Sequence, residues 1–263
     1  MHKVIALLVL VFSLAPSAKP LRFVVQHFPP YTFSDNNNQL TGAYVEMVEA
    51  ACKEWPDGCD IIQLPNLRAR KMLQKGLVDG MFPLAKNQER AQELWFSRPL
   101  SRAAWGFFSH ADNPQTNLTF NALSGARVGV TKNSFSEYLL LKLDEQLQLK
   151  GSKPLRIDGN VTDSMRSLEK LLRSSRYQFY FSNVDVALHY MEQSGNHQLK
   201  LLKISHVGNY YIAFNKKMVN QEQLMAFNKI LERLEKEGVL LTCRVRWGIS
   251  SPIKDDHMYP LFH

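Results

Sequence analysis

The spacing of apolar residues along the chain switches repeatedly between two periods. Residues 21–26 form a short β-rich run, after which Tyr44, Val45, Met47, Val48 and Ala51 recur at the three- and four-residue spacing of one helix face. The alternation continues: residues 60–64 predict a strand, 69–75 a helix, 80–84 a strand, 88–95 a helix opened by Asn87, and 103–109 a strand. A second cycle starts with a strand at 126–130, continues with helices at 135–148 and 163–172, and closes with strands at 178–181 and 200–204. A further strand at 210–215 and an amphipathic helix at 221–236 follow. That helix carries Leu224, Phe227, Ile230, Leu231 and Leu234 on one face and stops at Gly238. Strands alternating with helices predict an α/β fold, and two cycles in series predict two α/β units. The late strand at 210–215 returns the chain to the first unit, so the lobes are expected at 19–107 with 207–263 and at 108–206, joined by two crossings. No Pro/Gly/Ser linker separates them, which predicts short hinges.

The N-terminus changes the expected compartment. His2 and Lys3 precede an apolar run from Val4 to Leu14 and a small-residue exit, Ala15-Pro16-Ser17-Ala18, the form of a signal peptide over residues 1–18 cleaved near Ala18. The run is too short to span a membrane, no later stretch offers about 20 uninterrupted apolar residues, and no cysteine stands ready for a lipid anchor. A bacterial periplasm is the expected location. The triplets at Asn117 and Asn160 match a glycosylation pattern that arises often by chance and does not outweigh this. An oxidising compartment gives meaning to the three cysteines. Cys52 and Cys59 close a short loop after the first helix and are expected to form a disulfide, with a pair of buried free thiols as the alternative; Cys243 is left over as a small hydrophobe.

Composition narrows the partners. With 45% hydrophobic and 21% charged residues the chain is an ordinary globular protein, and its net charge of +8 is spread rather than gathered into a basic run. Nucleic-acid binding is therefore not expected, and the positive field suits a small anionic ligand. The eight histidines and three cysteines form no metal-binding spacing, and no Gly-x-Ser-x-Gly or His-Glu-x-x-His motif occurs. No cofactor and no metal are expected.

Several short stretches, in order, resemble the family 3 periplasmic solute-binding proteins, the two-lobed receptors that feed amino-acid uptake transporters. They are Phe28-Pro-Pro-Tyr-Thr-Phe33, Gly42-Ala-Tyr-Val-Glu-Met47, Gly76-Leu-Val-Asp-Gly80 ahead of Glu89-Arg90-Ala91, Phe96-Ser-Arg-Pro99, Gly125-Ala-Arg-Val-Gly-Val130, Val186-Ala-Leu-His-Tyr190, Tyr211-Ile-Ala-Phe214 and Val245-Arg-Trp-Gly248. The resemblance covers nearly all the chain past residue 18. It implies a type II fold, each lobe a mixed sheet flanked by helices with the ligand cleft between them. Leu64-Pro-Asn-Leu-Arg68-Ala69 and Gly80-Met-Phe82-Pro83-Leu-Ala85 resemble a divergent branch with Pro-Trp-x-Arg-Ala and Phe-Pro motifs, in which Asn66 here replaces the Trp.

By this resemblance Arg90 grips a ligand carboxylate, a role for which the guanidinium's paired donors are suited; a surface arginine paired with Glu89 or Glu93 is the alternative. Phe28 packs over the ligand's apolar part, with Tyr31 beside it, unless both serve the core. Arg68 and Phe82, from the branch motifs, are further candidates, Arg68 having a solvated helix position as its alternative. Ser134-Phe135-Ser-Glu137 has the form of a capping box that would start a helix at the cleft mouth, as an ordinary cap or as a ligand-facing one. Phe135 replaces a carboxylate-binding Thr of many relatives, and Pro83 and Ala85 replace serines. Asn183 stands where relatives place the acid that holds a ligand ammonium. Strand alternation puts Asp185 on the same side, from which it would supply the missing charge.

The expected function is capture of a small carboxylate-bearing ligand, amino-acid-like or another organic anion, by lobe closure for an ABC-type uptake system. The ligand is anionic or zwitterionic, and the partner is a transporter permease or a membrane sensor. A monomer and no catalysis are expected. The resemblance also admits an enzyme of the cyclohexadienyl or arogenate dehydratase kind, for which Glu46 and Asp185 are the acid–base candidates, and a ligand-sensing module.

Overall fold

A computed structural model describes residues 19–161, 177–195, 198–253 and 259–260. The expected signal segment and the expected helix at 163–172 lie outside the described residues. The strands are β1 (Leu21–Val25), β2 (Phe33–Ser34), β3 (Leu40–Thr41), β4 (Cys59–Gln63), β5 (Gly80–Ala85), β6 (Leu94–Phe96), β7 (Ser101–His110), β8 (Arg127–Thr131), β9 (Arg156–Val161), β10 (Phe179–Asn183), β11 (Leu199–Asn215) and β12 (Tyr259–Pro260). The helices are α1 (Ala43–Glu54), α2 (Asn66–Gln74), α3 (Gln88–Glu93), α4 (Phe120–Leu123), α5 (Phe135–Leu149), α6 (Val184–Gln193), α7 (Gln221–Lys236) and α8 (Val239–Arg246).

The main sheet runs β4-β1-β5-β11-β7-β10-β8-β9, with β6 and β12 also paired to β11, and β2 and β3 form a separate hairpin. In the first half β4, β1 and β5 are parallel and β11 runs against β5; in the second half β9, β8 and β10 are parallel and β7 runs against β10. Each half of the two-lobed molecule is thus a mixed sheet, as expected. The two are not separate, however. β7 and β11 pair antiparallel from Ser101↔Tyr210 to His110↔Leu199, so one hydrogen-bonded ladder passes from one half into the other. Two register shifts, at Leu201/Lys203 and Ile204/His206, interrupt it near the middle, where bulges add twist and bend.

The long β11 replaces the two strands expected at 200–204 and 210–215. Its middle, Ser205-His-Val-Gly-Asn209, reads as a polar break but is buried with its side chains partnered: Ser205 Oγ is 2.8 Å from His206 Nδ1, and Asn209 Nδ2 donates to Ile253 O at 3.0 Å. The first-half core forms where Phe23 meets Phe82, Phe214 and Phe227 edge-on. Helices α1, α7 and α8 pack together beside it. Helix α7 has a full capping box of Asn220 and Gln223, and the chain turns out of it at Gly238, whose φ of 79° is left-handed. Arg244 is 1% exposed, yet its guanidinium donates to Leu100 O at 3.0 Å and to Glu235 Oε1 at 2.6 Å, which offsets the cost of burying the charge.

Cys52, in the last turn of α1, is disulfide-bonded to Cys59, the first residue of β4, with Cα atoms 5.5 Å apart; Cys243 is free and buried in α8. The bond fastens the end of a core helix to the start of an edge strand. Closing so short a loop removes chain entropy worth about 2.5 kcal/mol from the unfolded state. Replacing both Cys52 and Cys59 with Ser is expected to lower the melting temperature by roughly 5–10 °C. Mass spectrometry of the unreduced protein is expected to find Cys243 as the one alkylated thiol after denaturation; a bridge from Cys243 to either partner would refute this pairing.

Candidate functional site

The loop after β1 is built to hold two aromatic rings. Phe28 and Thr32 exchange backbone hydrogen bonds of 2.6 and 3.1 Å across Pro29-Pro30-Tyr31, and the carbonyls of Pro30 and Tyr31 accept from the N–H groups of Ala43 and Tyr44 at the start of α1. That docking requires Gly42. A Cβ there would lie 2.4 Å from Tyr31 O, and its φ of 121° is strained for any other residue. The sequence motifs around Phe28 and Gly42 are therefore two halves of one contact.

Phe28 lines a cavity of about 700 Å³ between the two halves of the molecule. Arg90, Ser134, Phe135 and Asn183 line it too, so five of the nine expected ligand residues are brought together. Arg90 enters from α3, where Asn87 accepts from the Arg90 N–H at 2.8 Å as the N-cap. The helix ends at Glu93 because the chain turns at Leu94 into β6, two residues short of the expected end. The guanidinium donates to Ala85 O at 2.6 Å and lies 4.9 Å from the centre of the Phe135 ring, which comes from the opposite half. Burial and then the charge of Arg70 pull its pKa down to about 9, so it stays charged at neutral pH.

Across the cavity α5 begins at Phe135. Ser134 caps it, accepting from Glu137 N–H at 3.1 Å, while the Glu137 carboxylate takes the N–H of Asn133 at 2.7 Å rather than that of Ser134. The motif works as a cap shifted by one residue. The N–H groups of Phe135 and Ser136 have no intrahelical carbonyl to meet, and both residues line the cavity.

Asn183, 2% exposed, ends β10 and caps α6: its Oδ1 accepts from Val186 N–H at 3.0 Å and its Nδ2 donates to the Tyr210 hydroxyl at 3.3 Å. Because α6 starts at Val184, strand alternation does not extend to Asp185. Asp185 sits in the first turn of α6, is not among the residues that line the cavity, and accepts from the Tyr31 hydroxyl at 2.5 Å. Burial raises its pKa, opposed by that hydrogen bond and by Arg102.

Three other expected residues also stand off the wall. Tyr31 is fully buried behind Phe28, stacked on it with ring centres 5.4 Å apart. Phe82 is fully buried against Phe23 and Tyr44 in the first-half core, leaving its neighbours Met81 and Pro83 at the cavity. Arg68 is exposed on the far face of α2. Helix α2 begins at Asn66, earlier than expected, and residues four apart share a face, so Asn66 and Arg70 line the cavity and Arg68 points away. Arg70 is the site residue the sequence reading missed. The signal was present as its four-residue spacing from Asn66. Trp105, Tyr210, Thr131 and Lys132 are among the further lining residues.

Among the described residues that line the cavity none is Asp or Glu, whereas Arg70, Arg90 and Lys132 are cationic. Glu46, one of the two candidate acids for catalysis, accepts from Arg246 at 2.8 Å on the outside of α1. With Asp185 turned to Tyr31, the two candidate acid–base groups do not meet at the cavity. No group of metal-binding side chains occurs among the described residues, and no helix among them is long and apolar enough to cross a membrane.

The chain is 24% identical over 260 residues to a protein of Escherichia coli (strain K12) that bears the name "Putative ABC transporter arginine-binding protein 2", an alignment covering 92% of this chain and 97% of the other. An ancestral arginine-binding protein solved with arginine superposes with a TM-score of 0.74 at 25% identity, covering 88% of this chain and 98% of that one. A histidine kinase sensor domain with similarity to periplasmic binding proteins superposes with a TM-score of 0.75 at 18% identity over 89% of this chain and 98% of its own, a likeness of fold. Residues 21–250 match the family described as bacterial extracellular solute-binding proteins, family 3, and the chain belongs to that family.

Proposed function

We propose that this protein is a periplasmic receptor that captures a small carboxylate-bearing ligand between its lobes and presents it to an ABC-type uptake system. The lobes in this reading are residues 19–107 with 207–263 and residues 108–206, and residues 1–18 direct export. The observation that carries the reading is the charge of the cavity: guanidinium groups face it with no carboxylate among its described lining residues. A buried cation without a counter-charge is costly, and an anionic ligand removes that cost. Arg90, held by Ala85 O and the Phe135 ring, has N–H donors to spare for a carboxylate, and the first amides of α5 approach from the other lobe. Each lobe supplies part of the contacts, so ligand binding favours the closed arrangement.

Arginine, bound in one of the solved relatives, has a cationic side chain. In this chain such a side chain would meet Arg70 and Lys132, and its ammonium would meet the neutral Asn183, whose oxygen already caps α6. The reading is therefore of a carboxylate ligand other than a plain α-amino acid. Binding rather than catalysis is supported by the family and by the separation of Glu46 and Asp185.

Replacing Arg90 with Ala is expected to weaken binding of any carboxylate ligand found by calorimetric screening about a hundredfold, the loss of a charge-assisted bidentate contact. Unchanged affinity would make Arg90 a structural residue. Asn183→Asp retains the helix cap and a partner for the Tyr210 hydroxyl, so the melting temperature should hold. Its new charge should raise α-amino-acid affinity about tenfold. Tight binding of a common amino acid by the parent protein would overturn this account of Asn183.

A further inference from the structure

We infer that Arg70 is a second anion-binding group and that the ligand is a dianion, with a carboxylate at Arg90 and a second carboxylate or phosphoryl group at Arg70. The inference rests on the reading of the cavity as a carboxylate site and narrows its ligand class. Arg70 lines the cavity from α2 and spends one N–H on Asn133 O of the opposite half, at 2.9 Å. A guanidinium has five N–H donors, so most remain available. Lys132, next to Asn133 in the chain, adds a third cation to the same wall.

Neither guanidinium has a carboxylate within ion-pair distance among the described residues. Glu89, exposed on α3 and off the wall, is the acid whose charge acts on both. Burial holds the Arg70 pKa below its ordinary value, and the charge of Arg70 depresses that of Arg90. The two cations therefore repel each other in a partly dry cavity, and a ligand with one negative charge leaves one of them uncompensated.

The side chains of Gln63 and Asn66 stand in the same wall, their oxygens buried and without a hydrogen-bond partner among the described residues. Asn66 is one helical turn from Arg70. A half-turn of either amide exchanges its oxygen for NH2 and gives an anion further neutral donors. The cavity of about 700 Å³ lies within the usual range for small-molecule sites and has room for two charged ends with an apolar middle against Phe28, Trp105 and Phe135.

Calorimetry with matched probes tests this: the dicarboxylates glutarate, adipate and phthalate, their single-carboxylate counterparts pentanoate, hexanoate and benzoate, and 3-phosphonopropionate for the phosphoryl source. At least one dianion is expected to bind 30-fold or more tightly than its counterpart. Arg70→Gln should reduce that advantage to under threefold and leave the monocarboxylate within threefold of its parent affinity, whereas Arg70→Lys should keep most of it. A stronger phosphonate than dicarboxylate would identify the second group as phosphoryl, within the same proposal. If Arg70 only braces the closed state, Arg70→Gln will weaken both classes alike, and the inference falls. Equal affinity for monoanions and dianions in the parent would overturn it too, with the carboxylate reading intact. Binding of none of the probes would overturn both.

Discussion

The antiparallel ladder between β7 and β11 is the feature to which both halves of the site are referred. Each strand runs without a break from one half of the molecule into the other, and their pairing spans Ser101↔Tyr210 to His110↔Leu199. Rigid strands pass position along their length, so Trp105 on β7 and Tyr210 on β11 stand at the cavity at a fixed distance from both cores, their ring centres 5.6 Å apart. The two register shifts fall between Leu201 and His206, the part of β11 that leaves the second half. A ladder that is bent there and regular elsewhere concentrates any lobe motion into a few residues while preserving the two sheets.

Onto this frame the chain brings charges from both sides with little to neutralise them. Arg90 rests on a ring from the opposite half, Arg70 on a carbonyl from the opposite half, and the Tyr31 hydroxyl on Asp185 from the opposite half. These contacts close the walls at different heights, the last of them behind the cavity. The Asp185 carboxylate is thus engaged by a tyrosine hydroxyl.

Periodicity made most of the fold legible. Helix α7 begins and ends where the apolar stripe and Gly238 put it, and α5 begins after Ser134 as its cap predicts. One departure arises at a junction, where local pattern does not reveal phase. Asp185 was assigned by extending the alternation of β10 past Asn183, although Asn183 is itself a helix cap. Arg68 is expected from the branch motif alone, which carries no helix phase, and α2 leaves it exposed while Arg70, two residues on, lines the cavity. The unbroken β11 could not be read because its polar middle is satisfied by partners distant in the sequence, such as Ile253 for Asn209. Arg90, Phe28, Phe135 and Asn183 are expected from the family resemblance and Ser134 from its capping pattern, and all five line the cavity.

The position of Trp105 has a practical side. Of the four tryptophans in the chain it is the one among the described lining residues, 1% exposed, with its ring against Phe135 from α5 and Tyr210 from β11. An indole's emission shifts with the polarity around it, and here that surrounding is the ligand space and the seam between the halves. On the reading of the cavity as the ligand site, the indole would act as an intrinsic optical reporter of occupancy, placed by the same strand that joins the two halves.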